Sequence, residues 1–291
     1  MADNDRYESS GMSLPQDLSL PLFVYGSLKP RMPAYESIAG LVVGSPMRDH
    51  VAGTLYLRDG LPLLFLMGSR KISGYVLKFD SSSLGYEQVC AFEPKSQYQW
   101  EVAETANGLR VNILIGKEVT KGNPVASESD EWQLVHDPAF GEGLPVVRRA
   151  MEEIIANTHW NSWEKFFRSQ MAYLLLWSIL ERLSALCIGP LVNPNKRVSK
   201  LHTLRGMNAL IEKHVQRTDV VSDSRNPSDT VKLSKSNPKK CFEYYYQVRS
   251  NLSHRGKAVP NELEKVMGSL PELLNITEDY LKSLQSLENS Q

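Results

Sequence analysis

The hydrophobic period changes once along the 291 residues, and that change constrains the fold more than any other feature. Residues 20–119 carry short runs of strand-forming residues: LPLFVYGS, HVAGTLYL, ISGYVLKFD and GLRVNILIGKEV. Turn clusters such as Arg58-Asp59-Gly60 and Ala106-Asn107-Gly108 separate them. Short strands at this spacing predict a small barrel or strongly curled sheet. From Trp160 onward the period is helical. Trp163–Leu186 reads as one long helix, apolar on most sides at its centre and stopped by Gly189-Pro190. Further helices are expected at Ser199–Gln216, Cys241–Arg255 and Glu262–Leu287, with a polar, mobile loop from Thr218 to Lys239. The predicted class is therefore α+β, a small curled β-barrel followed by an α-helical bundle. The length suits two hydrophobic cores. The boundaries read as a disordered arm over 1–19, a β-rich domain over 20–158 closed by a helix within EGLPVVRRAMEEIIANT, and a helical domain over 159–291.

Three cysteines, Cys90, Cys187 and Cys241, stand far apart without a Cys-x-x-Cys pair, so neither a disulfide framework nor a zinc knuckle is indicated. The histidines show no metal-ligand spacing, and no metal or cofactor is expected. The first 21 residues are acidic and polar where a signal peptide needs basic and then apolar residues. The longest apolar run, MAYLLLWSIL, covers half of the ~20 residues that cross a bilayer. A buried helix and a cytoplasmic protein are expected. The net charge of zero hides an asymmetry, because Pro190–Lys257 carries +9 and the remainder −9. Such a block is either a solvated loop or the footprint of a phosphate-bearing partner.

Two motifs carry chemistry. In Phe23-Val24-Tyr25-Gly26-Ser27-Leu28-Lys29-Pro30 a strand runs into a Gly-Ser turn, where successive backbone N–H groups can converge on a carboxylate or a polarised carbonyl. An ordinary strand-to-loop turn has the same residues. VYGSL, with VAGTLYLRDGLPLLFL, GYVLKFD and AFEPKSQYQWEV after it, resembles the γ-glutamylcyclotransferase-like (AIG2-like) family over about 100 residues. The resemblance implies a curled barrel that binds a γ-glutamyl amine through the backbone of Tyr25, Gly26, Ser27 and Leu28. It also implies that Glu93 acts as the general base that frees the α-amino group to attack the γ-carbonyl, releasing 5-oxoproline. A carboxylate in a partly dry pocket suits that role. Two positions depart from the family pattern: Pro94 stands where the family has glycine, and Gln99-Trp100-Glu101 lacks the arginine expected after Tyr98.

The second motif is RSNLSH, with Arg249 and His254 separated by four residues on one helix. They can border one groove. Together with MAYLLLWSILERLSAL on the preceding long helix, where Glu181 matches a polar position, this stretch resembles the HEPN superfamily of Apea-like or abortive-infection type over about 120 residues. The resemblance implies a dimer whose two Arg/His pairs form one ribonuclease site. The substrate's own 2′-hydroxyl is the nucleophile, a histidine takes its proton and a guanidinium stabilises the phosphorane-like charge, so no metal is needed. The same pair in a non-catalytic domain would stabilise a dimer or bind nucleic acid. Tyr244, Tyr245 and Tyr246 point in different directions on a helix, which favours packing over base stacking.

The favoured function is metal-independent RNA cleavage of a kind suited to a toxin or antiviral defence, with the β-rich domain sensing a small γ-glutamyl-type ligand. The alternatives are a γ-glutamyl enzyme whose helical domain only dimerises, and a non-enzymatic binding module. The expected partners are RNA, a γ-glutamyl-type ligand and a second copy of the chain.

Overall fold

A computed structural model describes residues 12–58, 61–117, 125–127, 129–254 and 260–289. It is a mixed α+β chain with a sheet in its N-terminal part and helices in its C-terminal part. Contacts divide it into two compact units, Met1–Asp137 with Ala185–Asn193 and Leu287–Gln291, and Pro138–Ser184 with Pro194–Ser286.

The first unit is built on strands β1 (Leu22–Val24), β2 (Val42–Arg58), β3 (Leu61–Phe79), β4 (Tyr98–Glu104), β5 (Arg110–Gly116) and β6 (Val125–Ala126). A short helix α1 (Glu36–Ala39) follows β1, and α2 (Ser82–Phe92) follows β3. The sheet order is β4-β5-β1-β3-β2-β6, antiparallel throughout except for the β1–β5 pair. The expected barrel is not formed. Among the described residues the edge strands β4 and β6 do not pair with each other, and the chain just past β4 meets β2 through one bridge, Val51 to Thr105, the Ala106 N–H donating to the His50 carbonyl at 2.8 Å, and hydrogen bonds from Thr105 and Asn107 to the Asp49 carboxylate. The chain turns away at Ala106–Gly108 just where the ladder would have to continue, so the sheet curls without closing.

β2 and β3 form one long hairpin whose register shifts between Gly53 and Thr54. A side chain at Gly53 would sit 2.6 Å from the Phe65 carbonyl oxygen, so glycine permits the close approach at that irregularity. At Gly74 a Cβ would meet the Val24 carbonyl oxygen at 2.4 Å, and its absence lets β1 lie against β3. α2 turns Tyr86, Val89 and Phe92 onto a core shared with Leu22, Val24, Leu63, Leu77 and Leu114. Residues before β1, read from sequence as an arm, are held from residue 12 on. Trp100 Nε1 donates to the Ser13 carbonyl at 2.7 Å, Asn112 Nδ2 to that of Asp17 at 2.7 Å, and the Tyr86 hydroxyl to that of Leu20 at 2.7 Å.

The second unit contains α3 (Leu144–Ala156), α4 (Ser162–Ile188, to Ser184), α5 (Pro194–Lys200), α6 (Met207–His214), α7 (Pro238–His254) and α8 (Pro260–Asn289, to Ser286). The helix expected to close the β-rich domain, α3, falls in this unit. α4 is long and apolar enough to cross a membrane by length and composition, and 56% of its apolar window is buried within the protein. Its Tyr173, Leu176, Trp177, Leu180 and Leu183 are core residues. The single helix expected over Ser199–Gln216 is interrupted: α5 ends at Lys200, a tighter turn covers Leu201–Thr203, and Gly206 at φ +83° starts α6. Within the expected loop 218–239 lies a hairpin, β7 (Asp219–Ser222) and β8 (Thr230–Leu233), with Val221 and Leu233 buried.

Arg217 ties that hairpin to the helices. It donates to both Glu272 carboxylate oxygens at 3.0 and 3.1 Å, to Asp219 at 2.7 Å and to Ser269 at 2.9 Å. The hydroxyls of Tyr244 and Tyr245 donate to Asp219 at 2.6 Å and to Glu272 at 3.0 Å. One cation of the basic block is thereby committed to structure, and Tyr244 and Tyr245 are buried packing residues.

Candidate functional site

Strand β1 has only three residues, while β3 and β5 on either side of it run further. Where β1 stops, the Tyr25 side chain takes its place in the ladder. Its hydroxyl donates to the Leu114 carbonyl of β5 at 2.7 Å and accepts the Leu64 N–H of β3 at 3.2 Å. Burial pushes the phenol's acidity down, and the nearby Glu93 carboxylate adds to the effect.

The chain then turns through Gly26, Ser27 and Leu28, and the Gly26 carbonyl accepts the Lys29 N–H at 3.1 Å. Among the described residues, the N–H groups of Gly26, Ser27 and Leu28 donate to no protein acceptor. A Cβ on Gly26 would approach Pro62 Cγ to 3.0 Å, so this turn lies closely against the start of β3. Lys29, 3% exposed, fixes the turn's exit through Glu131 at 3.1 Å and the Trp132 carbonyl at 2.7 Å. Three such donors in succession beside a strand end can serve an anion or a carbonyl oxygen.

Glu93 caps the C-terminus of α2, its N–H donating to the Val89 carbonyl at 3.0 Å. The residue is partly exposed, while its carboxyl is surrounded by protein atoms. Burial alone raises its pKa from 4.5 to about 8, so it is mostly protonated at neutral pH. Among the described residues its carboxyl has no hydrogen bond or ion pair. Pro94 follows the cap, where a missing N–H stops the helix without breaking a bond, and its carbonyl accepts the N–H groups of Gln97 at 2.9 Å and Tyr98 at 3.2 Å. The Tyr98 hydroxyl donates to the Pro62 carbonyl at 2.9 Å, so the loop after Glu93 meets the same start of β3 that Gly26 touches. Trp100, two residues after Tyr98, packs against the core and bonds Ser13. The sequence-predicted residues Tyr25, Gly26, Ser27, Leu28 and Glu93 thus belong to one region, although 65 residues separate Leu28 from Glu93. Sequence reasoning passed over Arg58, at the end of β2, which is 5% exposed and has a buried Nη1 with no hydrogen-bond partner.

In the second unit, Arg249 of α7 faces α4. Its Nη2 lies 3.9 Å from Glu181 Oε1, an oxygen that also accepts the Trp177 Nε1–H at 2.9 Å. Arg249 Nε is buried and has no hydrogen-bond partner. Gln170 Nε2 donates to the Leu252 carbonyl at 2.9 Å, satisfying a last-turn acceptor of α7 and fastening that turn to α4. His254 is the last residue of α7, and its side chain lies outside the described residues, as do Arg255 and Lys257. Of the basic block, Lys240 is paired with Glu243 at 2.6 Å and Arg225 with Asp223 at 3.1 Å, whereas Lys235 is exposed. Among the described residues no group of His, Cys, Asp and Glu could hold a metal ion.

No family model matches the chain, and no curated protein matches it. Among solved structures, an uncharacterized protein from Pyrococcus horikoshii is similar over 39% of this chain and 90% of its own, at 20% identity and a TM-score of 0.32. A likeness that weak carries no argument about fold or function.

Proposed function

We propose that the first unit binds a γ-glutamyl-type small molecule and that Glu93 moves the proton in its cyclisation. The observation that carries this reading is the run of three unpaired N–H groups, Gly26 to Leu28, in the same region as a buried carboxyl with no partner. In the reaction the ligand's α-nitrogen forms a bond to the γ-carbonyl carbon, and the bond from that carbon to the leaving amine breaks. Ionised Glu93 takes a proton from the α-ammonium, the ring nitrogen loses a second proton once the new C–N bond has formed, and both protons end on the leaving nitrogen, which departs as an ammonium, while the N–H groups hold the carbonyl oxygen as its charge develops. With a carboxyl pKa of about 8, the ionised fraction and the rate at low substrate both rise from pH 6 towards pH 8. The test is release of 5-oxoproline from a panel of γ-glutamyl amines and dipeptides. Glu93→Gln abolishes it, and undiminished turnover in that variant removes Glu93 from the mechanism. A chain that is stabilised by a panel member without turning it over is a sensor of that ligand rather than an enzyme.

A second reading, for the helical unit, is metal-independent cleavage of RNA by Arg249 and His254, with the first unit as its ligand-responsive regulator. It is favoured by one observation: Arg249 and Glu181, singled out separately by sequence, meet across α7 and α4 and leave the guanidinium Nε unsatisfied. This reading needs two copies, and α4 offers a surface for pairing. Trp163, Phe167 and Met171 recur every four residues along it and are half or more exposed. Arg249→Ala then abolishes cutting of single-stranded RNA in EDTA while RNA affinity stays within a few-fold, because other cations still attract phosphates. Products end in a 2′,3′-cyclic phosphate. Cleavage of RNA carrying 2′-O-methyl groups contradicts the mechanism.

A further inference from the structure

Arg58 is the feature of the first unit that its fold does not account for. It ends β2, pairs with Leu61 of β3, and is 5% exposed. Its Nη1 is buried without a hydrogen-bond partner, and no ion pair is formed by its side chain among the described residues. Lys29, buried to a similar degree in the same unit, has both a carboxylate and a carbonyl. A guanidinium always carries its charge, and a buried charge without a counter-charge is strongly unfavourable, so such a residue points to an anion that the described residues do not supply.

The ladder register says where that anion would lie. Side chains alternate between the faces of a strand, and paired residues of an antiparallel ladder share a face. Arg58 and Leu61 therefore project from the same face as Tyr56 and Leu63, which are paired two rungs further along. Tyr56 and Leu63 belong to the core cluster that includes Leu28, Phe92 and Tyr98. On the rung between these pairs stands Pro62, the residue that Gly26 approaches and whose carbonyl accepts the Tyr98 hydroxyl. Arg58 thus projects from the ladder face on which Leu63 packs with Leu28 and with Phe92 of the last turn of α2, while the Pro62 ring that Gly26 approaches stands one rung away on the other face.

We propose that Arg58 is an anion-binding residue of this site, its guanidinium holding the carboxylate of a small acidic ligand. The proposal rests on the reading of the first unit as a ligand site and adds the group that selects for charge. A fork of N–H donors matches a carboxylate with two parallel bonds, which a lysine cannot reproduce.

The test uses the full chain and four probes, L-5-oxoproline, its uncharged analogue 2-pyrrolidinone, γ-L-glutamyl-L-alanine and inorganic phosphate. Binding is read by calorimetry and by the shift in Tm. The wild type binds at least one of the charged probes and not 2-pyrrolidinone. Arg58→Met, similar in length and uncharged, loses that binding by about tenfold or more, while its Tm without ligand is unchanged or higher. Arg58→Lys recovers only part of the affinity. Three results overturn the proposal: no charged probe binds the wild type, Arg58→Met binds as tightly as the wild type, or Arg58→Met lowers the ligand-free Tm, which makes Arg58 a structural residue. Binding of phosphate alone, lost in Arg58→Met, supports the anion site while removing the γ-glutamyl reading. Binding of 5-oxoproline lost in Arg58→Met supports both.

Discussion

Replacing Glu93 by glutamine converts the site's acid into a fixed neutral group, and the consequence for stability is a function of pH. The folded-state pKa is raised from 4.5 to about 8. Native protein therefore holds a proton that the unfolded chain has released throughout that window. Stability from this group is complete below pH 4.5, falls as pH rises, and reaches its floor above about 8. At about 1.4 kcal/mol for each pH unit, the loss is about 3 kcal/mol at pH 7 and about 5 kcal/mol at pH 9. Solvent contact at the half-buried side chain makes these figures ceilings. Glutamine has nothing to lose, so Glu93→Gln matches the wild type at pH 4.5 and exceeds it increasingly towards pH 9. Urea unfolding followed by hydrogen exchange of amides in β3 and α2 isolates the unit that holds Glu93. A difference between the two proteins that stays constant with pH, or a variant less stable at pH 9, refutes the burial argument.

Three further outcomes follow from the second unit. Arg217→Met leaves Glu272 buried without its counter-charge and lowers stability by about 3–5 kcal/mol, measured by chemical denaturation; a loss below about 1 kcal/mol contradicts the network's role. Asp279, held at a pKa of about 2 by hydrogen bonds from Lys213 and His214, contributes stability that is complete above pH 3.8 and disappears as pH falls through 2. After discounting for its exposure this is about 1 kcal/mol, and Asp279→Asn removes the corresponding slope from acid titrations. Met171, 64% exposed in the α4 stripe, is the position at which a charge disrupts pairing: sedimentation of the full chain gives a dimer for the wild type and a monomer for Met171→Glu, and an unchanged mass moves the interface elsewhere.

The parts of this fold that sequence makes legible are those whose side chains alternate or repeat on a helix over enough residues to be seen. β3, β5, α4 and α8 are of that kind. The hairpin β7–β8 is not, because each strand has four residues and the polar sequence around it reads as a loop. The break at Gly206 is hidden for a different reason: a lone glycine in a helical pattern carries no sign of its φ angle. Closure of the sheet into a barrel depends on whether two edges find each other, which no local period reports. At the candidate sites the residue types were readable and the unpaired states were not. YGSL identifies a turn, but only the fold reveals that Gly26, Ser27 and Leu28 leave their N–H groups free. Arg58 sits beside Asp59-Gly60 in a turn cluster, where an arginine is ordinarily solvated, and its burial follows from the register of β2 on β3.

Whether the turn after β1 is the ligand site of the first unit is read most directly from the amide ¹H–¹⁵N spectrum of the full chain during titration with L-5-oxoproline. A ligand site there gives saturable shifts at Gly26, Ser27 and Leu28, the amides that donate to no acceptor among the described residues, with the same dissociation constant at all three. Silence at these amides up to millimolar ligand, or shifts confined to other regions, would contradict it.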